Sequence, residues 1–103
     1  MKREAGVILA KKLKASLVAE GLPVKQVILF GSVAKGTAKD SSDIDIAVVC
    51  LPFAPTRHDE NTRIRHIRRS LDTKIEPICL HAEDFQNTFS TIAREVERYG
   101  IAV

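Results

Sequence analysis

Two uninterrupted apolar runs, Val27-Ile28-Leu29-Phe30 and Ala47-Val48-Val49-Cys50-Leu51, constrain this chain more than any other feature in it. A strand with one wet face alternates polar and apolar side chains. A strand that is apolar at every position is covered on both faces. Two such strands in a chain of 103 residues call for one interior sheet with helices laid over it.

The flanking segments supply those helices. From Lys2 to Glu20, Leu9, Leu13 and Leu17 recur at four-residue spacing with Val18 beside them, while Lys11, Lys12 and Lys14 fall on other faces. Gly21 is placed to end this helix in the left-handed conformation, and Pro23 keeps it from resuming. Val24–Phe30 reads as the first strand, stopped by Gly31-Ser32. A short helix is expected over Val33–Ala38, then turn residues Lys39–Ser42 and a second strand Asp43–Cys50. Pro52 and Pro55 bracket a loop. Arg57–Leu71 reads as a helix with a narrow stripe of Ile64, Ile67 and Leu71. Lys74–Leu80 is a third strand, and Pro77 within it predicts an edge position or an irregularity there, because proline donates no ladder hydrogen bond. His81–Arg98 reads as one helix, with Phe85, Phe89, Ile92 and Val96 on a face and Gly100 as its stop. The expected fold is α/β (α+β): a small mixed sheet of about three to four strands with helices packed against it, forming a single domain over residues 1–103.

Composition excludes several function classes. Apolar residues make up 45% and charged residues 28%, which argues against disorder, and no apolar run approaches the length that spans a bilayer. No signal-peptide pattern stands at Met1–Lys12, so the expected address is the cytoplasm, without membrane attachment. The net charge of +3 suits a phosphate-bearing ligand. With one tyrosine and no tryptophan, a platform for stacking bases is missing, so direct nucleic-acid binding by this chain alone is not expected. Cys50 and Cys79 lack the spacing of a zinc site and read as buried small hydrophobes in a reducing compartment. His58, His66 and His81 share no ligand spacing with each other or with the cysteines. His66 lies among Arg65, Arg68 and Arg69 on a basic helix face.

Chemistry concentrates between the first two strands. Gly31 allows a phosphate to approach the backbone closely, and Ser32 with the following amides can donate hydrogen bonds to it. Asp43 and Asp45, two apart on a strand, project from one face, with Ile44 and Ile46 on the other. Paired carboxylates repel one another unless a cation lies between them, and Mg²⁺ takes hard oxygen ligands of this kind. Ten residues separate Ser32 from Asp43, room for a helical turn or two and a return loop, so both features can face one pocket. Lys35 and Gly36 lie in that connector, and Lys35 can steer or neutralise phosphate. Glu76 on the third strand reaches the same pocket if that strand neighbours the second. It would serve there as a third metal ligand or as a base for an attacking hydroxyl.

The run Leu29-Phe30-Gly31-Ser32-Val33-Ala34-Lys35-Gly36-Thr37-Ala38, followed by Ser42-Asp43-Ile44-Asp45-Ile46, resembles the DNA polymerase β-like nucleotidyltransferases. Within that superfamily it is most similar to the minimal nucleotidyltransferase (MNT) proteins. The resemblance implies that Gly31, Ser32, Lys35 and Gly36 hold the triphosphate of ATP. It implies that Asp43 and Asp45 bind two Mg²⁺ ions with Glu76 as the third acid, and that AMP passes to a hydroxyl acceptor. The family often has arginine where Lys35 stands, and aspartate where Glu76 stands. It further implies a HEPN-domain protein partner in a toxin–antitoxin pair. A non-catalytic module that binds nucleotide and inhibits its partner by contact is the alternative.

Overall fold

In the computed structural model, which describes residues 2–103, the chain runs α1 (Arg3–Ala19), β1 (Val24–Phe30), α2 (Gly31–Lys35), β2 (Ile44–Cys50), α3 (Arg57–Arg68), β3 (Ile75–Leu80), a 3-10 turn (Ala82–Gln86), α4 (Thr91–Tyr99) and β4 (Ile101–Ala102). The sheet order is β3-β2-β1-β4. β1 runs antiparallel to both β2 and β4, whereas β2 and β3 are parallel, joined through α3. The sheet is therefore mixed and has four strands, within the expected number.

The alternation along β2 divides the interior in two. Ile44, Ile46, Val48 and Cys50 point to the face covered by α1 and α3, where Leu13, Leu17, Ile64 and Ile67 meet Val27, Leu29, Ile75 and Cys79. Ala47 and Val49 point to the other face, where Ile28, Leu80 and Val96 of α4 form a smaller cluster. Each large aliphatic side chain buried this way contributes on the order of 1.5–3 kcal/mol. Asp45 shares the α4 face of β2, which places a carboxylate at the rim of the smaller cluster instead of in the main core.

β1 and the edge position of Pro77 match the sequence expectation. Pro77 pairs in register with Ile46, and β3 is the outer strand. Its free edge is not left bare, because the Cys79 amide donates to Asn61 Oδ1 of α3 at 2.9 Å. Gly21 has φ 80°, the left-handed conformation expected at the end of α1, and Gly100 caps α4. Val18, expected on the buried stripe, is 55% exposed, since the buried line of α1 runs Gly6, Ala10, Leu13, Leu17.

Several expectations need correction, and α3 is among them, since it ends at Arg68, three residues short of Leu71. The short helix begins at Gly31 and ends at Lys35, two to three residues earlier than Val33–Ala38. β2 begins at Ile44, so Asp43 closes the preceding turn. The helix expected over His81–Arg98 is two pieces. Asn87 Oδ1 accepts from the Phe89 amide, and Ser90 Oγ accepts from the Ala93 amide as the N-cap of α4, so side chains take the bonds that a continuous helix would have made. Phe89 consequently lies outside the core, 92% exposed.

Candidate active site

β1 stops at Phe30, which pairs with Asp45 across the antiparallel ladder. The next residue, Gly31, has φ 72°, a conformation that side-chain-bearing residues rarely adopt. A Cβ at Gly31 would collide with the Asp45 carboxylate. The backbone turn and the carboxylate are thus packed directly together, and only glycine permits it. Asp45 in turn pairs with Glu76 across the parallel ladder, so the two acids stand side by side on neighbouring strands whose backbones run roughly 4.8 Å apart. Asp43 lies exposed one residue before β2.

The electrostatics follow from this crowding. Partial burial pushes the Asp45 carboxyl above its usual range, and the negative charges of Asp43, Glu76 and Glu95 push it further. Three acids act on a fourth, and of the four, Asp43, Asp45 and Glu76 were named from the sequence. Their donors are all hard carboxylate oxygens around a group that resists ionisation in their company, which fits a divalent cation such as Mg²⁺.

These groups open onto a cleft of about 460 Å³ lined by Gly31, Asp45 and Glu76 together with Phe30, Asn61, Arg65, Pro77, Ile78, Ile92 and Glu95. Of the residues expected at the site, Gly31, Asp45 and Glu76 line this cleft, and Asp43 acts on it through its charge. Ser32 follows Gly31 as the second residue of α2, half-buried, and its carbonyl accepts from the Thr37 amide at 2.9 Å. Lys35 is engaged elsewhere: its Nζ lies 2.6 Å from Glu95 Oε1 and 4.4 Å from the centre of the Tyr99 ring. Gly36 has φ 78° and ends α2, with the Arg3 guanidinium beside it. Lys35, the last residue of α2, and Gly36, its cap, do not line the cleft.

Sequence reasoning missed Glu95 and Asn61, and it did not bring Arg65, read on a basic helix face, or Ile92, read on an apolar one, to this cleft. Glu95 stands on the helix piece whose start was misread. Asn61 and Arg65 belong to a helix that reaches the cleft only because β3 is the edge strand beside it. A separate depression of about 420 Å³ between α1 and α3 holds the Glu20–Arg63 ion pair and none of these carboxylates.

The family model for polymerase β nucleotidyltransferases matches residues 11–102, and the chain belongs to that family. No curated protein matches it significantly. Among solved structures, a nucleotidyltransferase-like protein from Sulfolobus solfataricus superposes with a TM-score of 0.68 at 20% identity, over 97% of this chain and 80% of that one. A chain of a toxin–antitoxin complex with AMP-PNP gives 0.66 at 20% identity, over 90% and 70%. A chain of tri-AMPylated Shewanella oneidensis HEPN toxin in complex with MNT antitoxin gives 0.61 at 17% identity, over 94% and 70%. At these identities the likeness establishes the shared fold. No helix among the described residues is long and apolar enough to cross a membrane.

Proposed function

We propose that this chain is a Mg²⁺-dependent nucleotidyltransferase that moves AMP from ATP to a hydroxyl on a protein partner, as the antitoxin of an MNT/HEPN pair. One observation carries the reading: the Asp45 carboxylate packs against the bare Cα of Gly31, beside Glu76 and within the field of Asp43. Phosphate-binding backbone and metal-binding acids thereby share a wall. The family membership supports the transferase class, and the solved MNT–HEPN complexes support the partner.

Asp43, Asp45 and Glu76 are the residues that would hold Mg²⁺. Bound there, the metal supplies positive charge against the triphosphate oxygens and makes the acceptor hydroxyl easier to deprotonate. Gly31 contributes the left-handed turn at the β1–α2 junction that lets the Asp45 carboxylate pack against the backbone, beside the amides offered to phosphate. The Ser32 hydroxyl donates a further hydrogen bond. Arg65, which also lines the cleft, offers a guanidinium whose fork matches phosphate oxygens. Glu76, exposed at the rim, completes the acidic set or takes the proton of the incoming hydroxyl. Lys35 serves here as a positioning residue, holding Glu95 against the cleft. The protein's part is position and charge, as in phosphoryl transfer generally.

The test mixes the purified chain with the HEPN-type partner encoded beside its gene, ATP and Mg²⁺, and weighs the partner intact. Added AMP units on the partner are expected with wild type, and none with Asp45→Asn, a loss on the order of a thousandfold in rate. Inhibition of the partner by wild type without any mass increase would establish the contact-only antitoxin instead.

A further inference from the structure

The far end of β2 carries a second group of donors, unrelated to the cleft. Cys50 ends β2, Cys79 lies in β3, His81 follows β3, and Glu60 stands in the first turn of α3. One ligand atom from each lies within 4.8 Å of all the others. The two thiols are free and buried, with their sulfurs 3.0 Å apart. Glu60 is 1% exposed, the one buried charged residue in the described core. A carboxylate is costly to bury without strong partners. Its Oε2 accepts from the Phe53 amide at 2.9 Å, which aims Oε1 at His81 Nε2, also 2.9 Å away.

We infer that Cys50, Glu60, Cys79 and His81 form a metal site for a thiophilic dication of the Zn²⁺ class, structural in role. A tetrahedral Zn²⁺ with bonds of about 2.0–2.3 Å separates its ligand atoms by roughly 3.3–3.8 Å, so the two sulfurs, 3.0 Å apart, and the Glu60–His81 pair, 2.9 Å apart, need to part by less than about 1 Å. Two thiolates, a carboxylate and an imidazole select Zn²⁺ over Mg²⁺. Two thiolates and a carboxylate around a dication leave one net negative charge, and Arg57 stands beside it to balance that charge, with Nε 3.6 Å from Glu60 Oε1. Outer contacts hold the ligands in place: Asn61 fixes the strand at Cys79, and Arg57 also bonds Asp84 and the Cys79 carbonyl. A depression of about 290 Å³ bordered by Lys25, Cys50, Pro52, His81 and Glu83 gives the ion a way in.

Binding displaces the two thiol protons, about two per metal, to solvent. The His81 ring moves its single N–H from Nε2 to Nδ1; Arg57 Nη2, which now donates to Nδ1, must release it, and Glu83 Oε1, 4.0 Å from that nitrogen, can then accept the new N–H. No oxidant or reductant is involved.

The test is a titration of the reduced, metal-stripped protein with Co²⁺, followed by Zn²⁺. The expected result is the visible spectrum of tetrahedral Co²⁺ with a near-ultraviolet thiolate band, saturating at one ion per chain and erased by one equivalent of Zn²⁺. An Asp43→Asn, Asp45→Asn double variant should give the same spectrum, which separates this site from the nucleotidyl-transfer reading. Glu60→Gln should weaken Zn²⁺ well beyond the roughly 10–100-fold typical of outer contacts. Because the cysteines are core residues, Asn61→Ala is the second variant, with a loss of about tenfold. Absence of the thiolate band in reduced wild type would overturn the site. So would Co²⁺ bands that vanish in the double aspartate variant, or a Cys50–Cys79 disulfide as the state of the protein purified without added oxidant.

Discussion

At the scale of the residue, Gly31 does two things that no other side chain can do there. It occupies φ 72°, and it leaves the space that the Asp45 carboxylate fills. Gly31→Ala should therefore cost roughly 1–2 kcal/mol for the left-handed conformation alone, a fall of several degrees in Tm for a domain of this size. The displaced Asp45 should lower AMP transfer at least about a hundredfold, since misplacement near 1 Å has that effect. Differential scanning fluorimetry and the partner mass assay measure the two separately. Asp45 itself makes a prediction about pH. Its carboxyl titrates above the ordinary 3.8 in the folded protein because burial and its acidic neighbours disfavour the charge. The folded state then binds more protons than the unfolded one, so stability is greatest below the unfolded pKa and falls as pH rises through the folded one. Metal-free Asp45→Asn lacks that decline. It should be the more stable protein at pH 7, with the advantage shrinking toward zero below about pH 3.8. Chemical denaturation of both proteins across that range checks it, and wild type equal to or above the variant at pH 7 would count against the repulsion.

Elements show where local pattern speaks and where it is overridden. β1 was legible to the residue because Val27–Phe30 is apolar throughout and Gly31 must break it. The region after His81 was misread because Phe85, Phe89, Ile92 and Val96 happen to keep helical spacing across a break that Asn87 and Ser90 enforce through their own side chains. Hydrophobic periodicity has no way to register those hydrogen bonds. The break has a consequence for the site, since α4, capped by Ser90, is what sets Ile92 and Glu95 on the cleft wall. Ser90→Ala should cost about 1 kcal/mol, within the usual 0.5–2 kcal/mol for a lost N-cap. It should also loosen the Lys35–Glu95 contact. Hydrogen exchange at Thr91–Glu95 should quicken in the variant while β1 and β2 keep their protection. Uniform loss of protection would mean instead that α4 melts only with the whole domain.

Taken as a whole molecule, the chain places its two donor clusters at opposite ends of one strand. The acidic cluster was readable because its members sit close in sequence: Gly31-Ser32, ten residues, then Asp43 and Asp45. Glu76 joined it only through an assumption about neighbouring strands, which the parallel β2–β3 pairing supports. The cysteine cluster was unreadable for the complementary reason. Cys50 and Cys79 are 29 residues apart, and the crossover through α3 brings them together while delivering Glu60 from its own surface. Spacing rules for metal sites describe hairpins and knuckles, not ligands gathered by a crossover. From Asp45 to Cys50, five steps of extended strand span roughly 16 Å. Sites farther apart than about 7–10 Å generally add their effects on stability, and Asn61, which lines the cleft and bonds the Cys79 amide, is the contact through which these two could depart from the sum. Zn²⁺ at the cysteine end and Mg²⁺ with a non-hydrolysable ATP analogue at the aspartate end should therefore each raise stability by RT ln(1 + [L]/Kd), and together by the sum within about 0.5 kcal/mol. Thermal melts with neither, each and both form the cycle, with Asp43→Asn, Asp45→Asn deleting only the nucleotide term and Glu60→Gln only the zinc term. A joint effect well above the sum would mean that β2 transmits occupancy from one end to the other. The two sites would then be a regulated pair, and the strand a coupled element instead of a rigid divider.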